Sequence, residues 1–214
     1  MDFRVDLSTP GVPPYQATVA RYTGNYILMI SSSKVFSYAG QRIGMMVISD
    51  TLYHRHFPDL EVRLKVHGFG NAIVHRVLYS MTSGTSHSSQ FALAAMFKAA
   101  SDGTFNFVEE VKEYAEKAKI MKKLFTDNGF KIVYDTDLDQ PVGDGFYFTI
   151  GYPGMTGSEL LHKLLYYGIS AISLSNTGST KEGLRACVSH VKRDQFTDLE
   201  IRLQQFHADY HVES

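Results

Sequence analysis

The chain has 214 residues, of which 44% are hydrophobic and 20% charged, and its formal net charge is −1. That length supports one large domain or two small ones with a real core, and the composition excludes a chain dominated by disorder. Near-neutral charge provides no overall field for nucleic acid or an anionic membrane surface, and no apolar run reaches membrane-spanning length.

The opening stretch MDFRVDLSTPGVPPY, with prolines at 10, 13 and 14, predicts an extended segment. It lacks the basic start and apolar centre of a signal peptide, and it reads as the middle of a longer protein. The single cysteine, Cys187, excludes an internal disulfide and suits a reducing, cytoplasmic setting. NYILMIS (Asn25–Ser31) is a short apolar run bounded by turn residues and reads as a buried strand. RIGMMVIS (Arg42–Ser49) reads as a second buried strand. A helical pattern covers roughly Leu60–Tyr79, with glycines at 68 and 70 arguing against an unbroken helix. Ser88–Ser101 is apolar on nearly every side, which predicts a buried helix.

Asn106 and Glu109 have capping-box spacing at the start of a long helix. Phe107, Val111, Tyr114, Ala118, Met121 and Phe125 form its apolar stripe, and Gly129 is placed to end it. Beyond it, Phe130–Asp135 and Gly145–Tyr152 read as strands, and Thr156–Gly168 as a helix with Thr156 and Glu159 as capping box. ISAIS and Gly183–His190 read as strands, and Phe196, Leu199, Leu203, Phe206 and Tyr210 step along a final helix. The order predicts a small sheet with helices on one face. Cys187 reads as a small core residue, and no group of residues has metal-ligand spacing, so no metal site is expected.

One stretch asks for more than a surface. ISSSKVFSYAGQRIG (Ile30–Gly44) sets Lys34 among serines at the end of an apolar strand, with Arg42 shortly after. A lysine at a strand end is most often a solvated surface residue. A held, partly desolvated lysine, however, forms a Schiff base with an aldehyde. Serine hydroxyls and an arginine bind a phosphate, and Gly40 and Gly44 let the backbone turn tightly around it. An amine for an aldehyde and Ser plus Arg for a phosphate are the needs of pyridoxal phosphate. A nucleotide P-loop requires a glycine pattern before the lysine that is absent here.

At Ser31, Ser33, Lys34, Gly40, Arg42, Ile43 and Gly44 the sequence resembles the lysine signature of the class I/II aminotransferases, the fold-type I pyridoxal-phosphate enzymes. Ser32 and Tyr38 depart from it. The order of elements resembles the family over almost the whole chain. GLRACVSH resembles its C-terminal strand, which makes Arg185 the counterpart of the arginine that holds the substrate α-carboxylate.

The resemblance implies an α/β fold: residues 1–105 as the C-terminal part of the cofactor-binding large domain, and 106–214 as the connecting helix and small α+β domain. It implies amino-group transfer between an amino acid and a 2-oxo acid, with Lys34 as the Schiff-base lysine and catalytic base, and with Ser31 and Arg42 on the cofactor phosphate. It also implies a homodimer, and an N-terminal half of the same protein carrying the ring-stacking aromatic. The aspartate that pairs with the ring nitrogen is Asp2 or lies before Met1, and the isolated piece is expected to be weakly active or inactive. Another fold-type I reaction (a lyase, decarboxylase or synthase) and the ligand-sensing domain of a transcription regulator remain alternatives. SGTSHSS (Ser83–Ser89) reads as a helix N-cap loop, or as a segment near a partner subunit.

Overall fold

The computed structural model describes residues 18–137, 139–142 and 145–211. The predicted proline-rich segment and Asp2 lie outside them. The described residues divide into two units, one up to Phe107 and one from Val108 on.

In the first unit, strands β1 (Ile27–Ser31) and β2 (Gly44–Ile48) pair antiparallel, with Ile27 opposite Ile48 and Ser31 opposite Gly44. Between them lie a single helical turn, α1 (Ser32–Val35), and a 3-10 turn at Ala39–Gln41. Two short helices follow, α2 (Asp50–Tyr53), capped by the Ser49 hydroxyl, and α3 (Pro58–Leu64), with proline in its first turn. A helical run then covers α4 (Phe69–Asn71), π-helical turns at Ala72–Leu78 and α5 (Tyr79–Thr82), and α6 spans His87–Ser101.

Two expectations are corrected here. The strands are paired but not buried: Met29 is 70% exposed and Val47 45%. Among the described residues their sheet has two strands, and alternate residues of β1 are exposed. The helical pattern over Leu60–Tyr79 is interrupted, as the glycines at 68 and 70 suggested: Lys65 adopts a left-handed conformation and Gly68 an extended one. Helix α6 buries Ser89, Leu93 and Ala100 on one side only, and its Phe91 is 76% exposed.

The second unit starts one residue into α7 (Phe107–Asp127), most of whose predicted stripe is buried. Gly129 and Gly168 take φ values of +81 and +68 behind α7 and α8, conformations that cost nothing without a Cβ. Strands β3 (Lys131–Ile132), β6 (Tyr147–Gly151), β7 (Ile172–Ser173) and β8 (Leu184–Cys187) form an antiparallel sheet in the order β3-β6-β8-β7. A small hairpin, β4 (Thr136–Asp137) with β5 (Gln140–Pro141), was not expected. Helices α8 (Gly157–Tyr166) and α9 (Phe196–Tyr210) complete the unit. Thr156 and Glu159 make both bonds of the capping box.

Sheet register decides what each face carries. Phe148 opposes Ala186 and Ile150 opposes Leu184, so these four share a face. They join Met121 and Phe125 of α7, Leu160 and Leu164 of α8, and Leu203 and Phe206 of α9 in one buried cluster. Each of the larger side chains among them contributes about 1.5–3 kcal/mol through burial. The other face carries Tyr147, Thr149, Arg185 and Cys187. Cys187 is therefore half-buried, against the expectation of a core residue, with its Sγ 3.1 Å from the Ser189 hydroxyl.

Candidate active site

Ser31 is the last residue of β1, Lys34 and Arg42 lie on the connection from β1 to β2, and all three are exposed. Ser31 ends β1 as the N-cap of α1 with extended backbone, and its side chain makes no cap hydrogen bond. Lys34 sits in the last turn of α1. The connection is tied across its base: fully buried Ser32 donates its hydroxyl to the carbonyl of Ile43. The amides of Phe36 and Tyr38 both donate to the Ser32 carbonyl at 3.1 Å. From α6, the buried Ser89 hydroxyl lies 3.4 Å from the carbonyl of Gln41 and from its side-chain oxygen.

The tight turning falls on residues other than those the sequence suggested. Arg42 itself adopts φ 51, ψ 44, and Ser37 φ 52. A left-handed conformation at a residue with a Cβ costs about 1–2 kcal/mol. Arg42 partly offsets it by donating from Nη1 to the Ala39 carbonyl at 2.7 Å. Gly40 is not in the left-handed region, and a Cβ there would meet nothing within 4 Å. Gly44 is needed for close approach instead, since its Cβ would lie 3.1 Å from the Ile30 carbonyl oxygen.

Arg185 belongs to the second unit, at the middle of inner strand β8, opposite Thr149 on one side and Ile172 on the other. Its guanidinium carbon lies 4.2 Å from the centre of the Tyr147 ring, a cation–π contact. Its Nε–H is buried with no hydrogen-bond partner among the described residues. Leaving a buried donor unpaired costs about 1–3 kcal/mol, and a guanidinium fork matches a carboxylate in two bonds.

A family model for aminotransferase class I and II matches residues 6–200. The chain belongs to that family. Two solved aminotransferases share its fold. One is the α-aminoadipate aminotransferase LysN from Thermus thermophilus, solved with N-(5'-phosphopyridoxyl)-L-leucine (18% identity, TM-score 0.58, 86% of this chain and 42% of that one). The other is a Pyrococcus horikoshii kynurenine aminotransferase in complex with PMP (15% identity, TM-score 0.58, 90% of this chain and 43% of that one). The chain thus spans less than half the length of either neighbour. No curated protein matches it.

Within this aminotransferase-family chain, Tyr147 is a neighbour of Arg185 that sequence reasoning missed. Its signal was present: two residues from Thr149, it falls on the strand face that Arg185 shares. Ser32, which departs from the family signature, proves to be a structural tie of the loop. Ser86 precedes α6 as N-cap without a side-chain bond, and its hydroxyl is 3.1 Å from that of Ser88. A cavity of about 250 Å³ in the second unit is lined by Met121, Phe125, Cys187, His190 and Arg202 among others, and it contains none of the predicted site residues. No described helix is long and apolar enough to cross a membrane.

Proposed function

We propose that the chain is the C-terminal portion of a pyridoxal-phosphate-dependent aminotransferase that moves an amino group between an amino acid and a 2-oxo acid. In this reading residues 1–105 belong to the cofactor-binding large domain and 106–214 to the connecting helix and small domain. The observation that carries it is that Ser31, Lys34 and Arg42 belong to one β-hairpin, Ser31 at the end of its first strand and the other two on its connection, in a chain of this family.

These residues fit the cofactor chemically. Lys34 offers a primary amine for its aldehyde, and the Ser31 hydroxyl and Arg42 guanidinium offer donors for its phosphate. When bound, pyridoxal phosphate supplies the aldehyde and a ring that takes up charge developing at the substrate α-carbon. Lys34 takes and returns the proton at that carbon. Ser31 and Arg42 hold the phosphate. Arg185 orients the substrate through its α-carboxylate, which the unpaired Nε–H supports. The protein acts as a cytoplasmic homodimer, and the isolated chain has weak or no turnover because the rest of the site lies on the N-terminal half.

Borohydride reduction after addition of pyridoxal phosphate, followed by peptide mapping, tests the assignment. A single reduced adduct on Lys34, lost in Lys34→Ala, is the expected outcome in a protein reconstituted with its N-terminal half. An adduct scattered over surface lysines in that protein overturns it.

A further inference from the structure

Away from the hairpin connection, the first unit gathers two imidazoles and a carboxylate. His56 Nε2 lies 2.7 Å from Glu61 Oε2, and His67 Nδ1 lies 3.0 Å from Glu61 Oε1. One ligand atom from each of the three residues falls within 4.8 Å of the other two. The fold produces this grouping from both ends of α3. His56 precedes the helix, Glu61 lies on it, and the left-handed turn at Lys65 sends the chain back toward its start. An isolated antiparallel bridge between His56 and Gly68 then fixes the two flanking segments side by side. The Phe69 amide reinforces it by donating to the Arg55 carbonyl at 3.0 Å. The rings of Phe57 and Phe69, at 5.6 Å, pack the same two segments together.

We propose that His56, Glu61 and His67 form a binding site for a divalent transition-metal ion of the zinc class. Zinc bonds to imidazole nitrogen and carboxylate oxygen are about 2.0–2.2 Å long, which puts ligand atoms of a tetrahedral site roughly 3.3 Å apart. One ligand atom from each residue already lies within 4.8 Å of the other two, and the two imidazoles meet different oxygens of the Glu61 carboxylate, at 2.7 Å and 3.0 Å. The remaining adjustment is side-chain rotation, which is available because the His67 side chain is 81% exposed and that of His56 52%. Two imidazoles and one carboxylate select zinc, cobalt, nickel or copper over magnesium and calcium, which prefer all-oxygen sites. The fourth position opens to water. A bound ion clamps the segments before and after α3, so it stabilises the first unit by mass action.

The site is tested on the whole, untagged chain by calorimetric titration with zinc chloride, and by the visible absorption of added cobalt(II). One equivalent is expected to bind with a micromolar or tighter Kd. His67→Ala and Glu61→Gln are each expected to weaken it at least tenfold, while His190→Ala leaves it unchanged. Because a variant with disturbed folding would be uninformative, zinc is also added to isotope-labelled wild-type protein. It is expected to shift the imidazole nitrogen signals of His56 and His67 first. Millimolar binding, tight binding that survives both substitutions, or shifts confined to other histidines overturns the proposal.

Discussion

A buried hydroxyl needs an acceptor, and for Ser32 the acceptor is a carbonyl on the far side of the Lys34 connection. The bond holds the start of α1 against the entry to β2, so it sets the frame on which Lys34 and Arg42 stand. Ser32→Ala leaves that carbonyl short of a donor and is expected to cost about 1–3 kcal/mol of stability, read as a lowered urea midpoint at unchanged slope. A midpoint equal to wild type would show that the tie is immaterial. Lys34, Ser31 and Arg42 could be proposed from the sequence because their chemistry is local: amine, hydroxyl and guanidinium within one short stretch. Gly40 misled, since glycine only permits a left-handed turn, and here Arg42 and Ser37 take that conformation. His56, Glu61 and His67 match no spacing motif. What unites them is a left-handed lysine and a single bridge, both consequences of tertiary structure.

Among the elements, those that declare both ends in sequence were the most legible. Helix α8 has its capping box at Thr156 and Glu159 and its glycine stop at 168, and the structure keeps all three. The strands of the second unit are shorter than their apolar runs. Phe130–Asp135 suggested six strand residues, yet only Lys131–Ile132 pair as strand. Apolar alternation reports which face packs, not how far the ladder extends. The capping box also makes a pH prediction. The Thr156 backbone N–H, and then its hydroxyl, hold the Glu159 carboxyl below its usual range. A carboxyl with a depressed folded-state pKa contributes stability above its unfolded pKa and loses it as pH falls through the folded value. The stability gap between wild type and Glu159→Ala is therefore expected to be widest near neutrality and to narrow below about pH 4. Thermal unfolding followed by circular dichroism measures it, and a gap constant with pH would refute the electrostatic account.

At the scale of the whole molecule, the two units differ in how well each satisfies itself. The second has a closed cluster in which Ile150, Leu160, Leu164, Leu184, Leu203 and Phe206 are wholly inaccessible. The first leaves Met29, Val62, Met81 and Phe91 each at least 70% exposed. The composition gave no hint of this imbalance, because an apolar residue reads the same whether its cover comes from its own chain or from another. Exposed apolar surface of this kind drives association. Sedimentation velocity is expected to show the average mass of the isolated chain rising with concentration. A monomer throughout the range would contradict the assignment of these residues to a contact surface. The backbone carries a separate hazard. In the two-stranded sheet, β1 and β2 each keep a five-residue edge with no neighbouring strand among the described residues, whereas the outer strands β3 and β7 of the second sheet offer only two residues each. An uncovered edge is a template for strand addition. If the chain forms fibrils, their cross-β spine starts in ILMIS or GMMVI, and a charge or proline on that edge is where solubility is engineered.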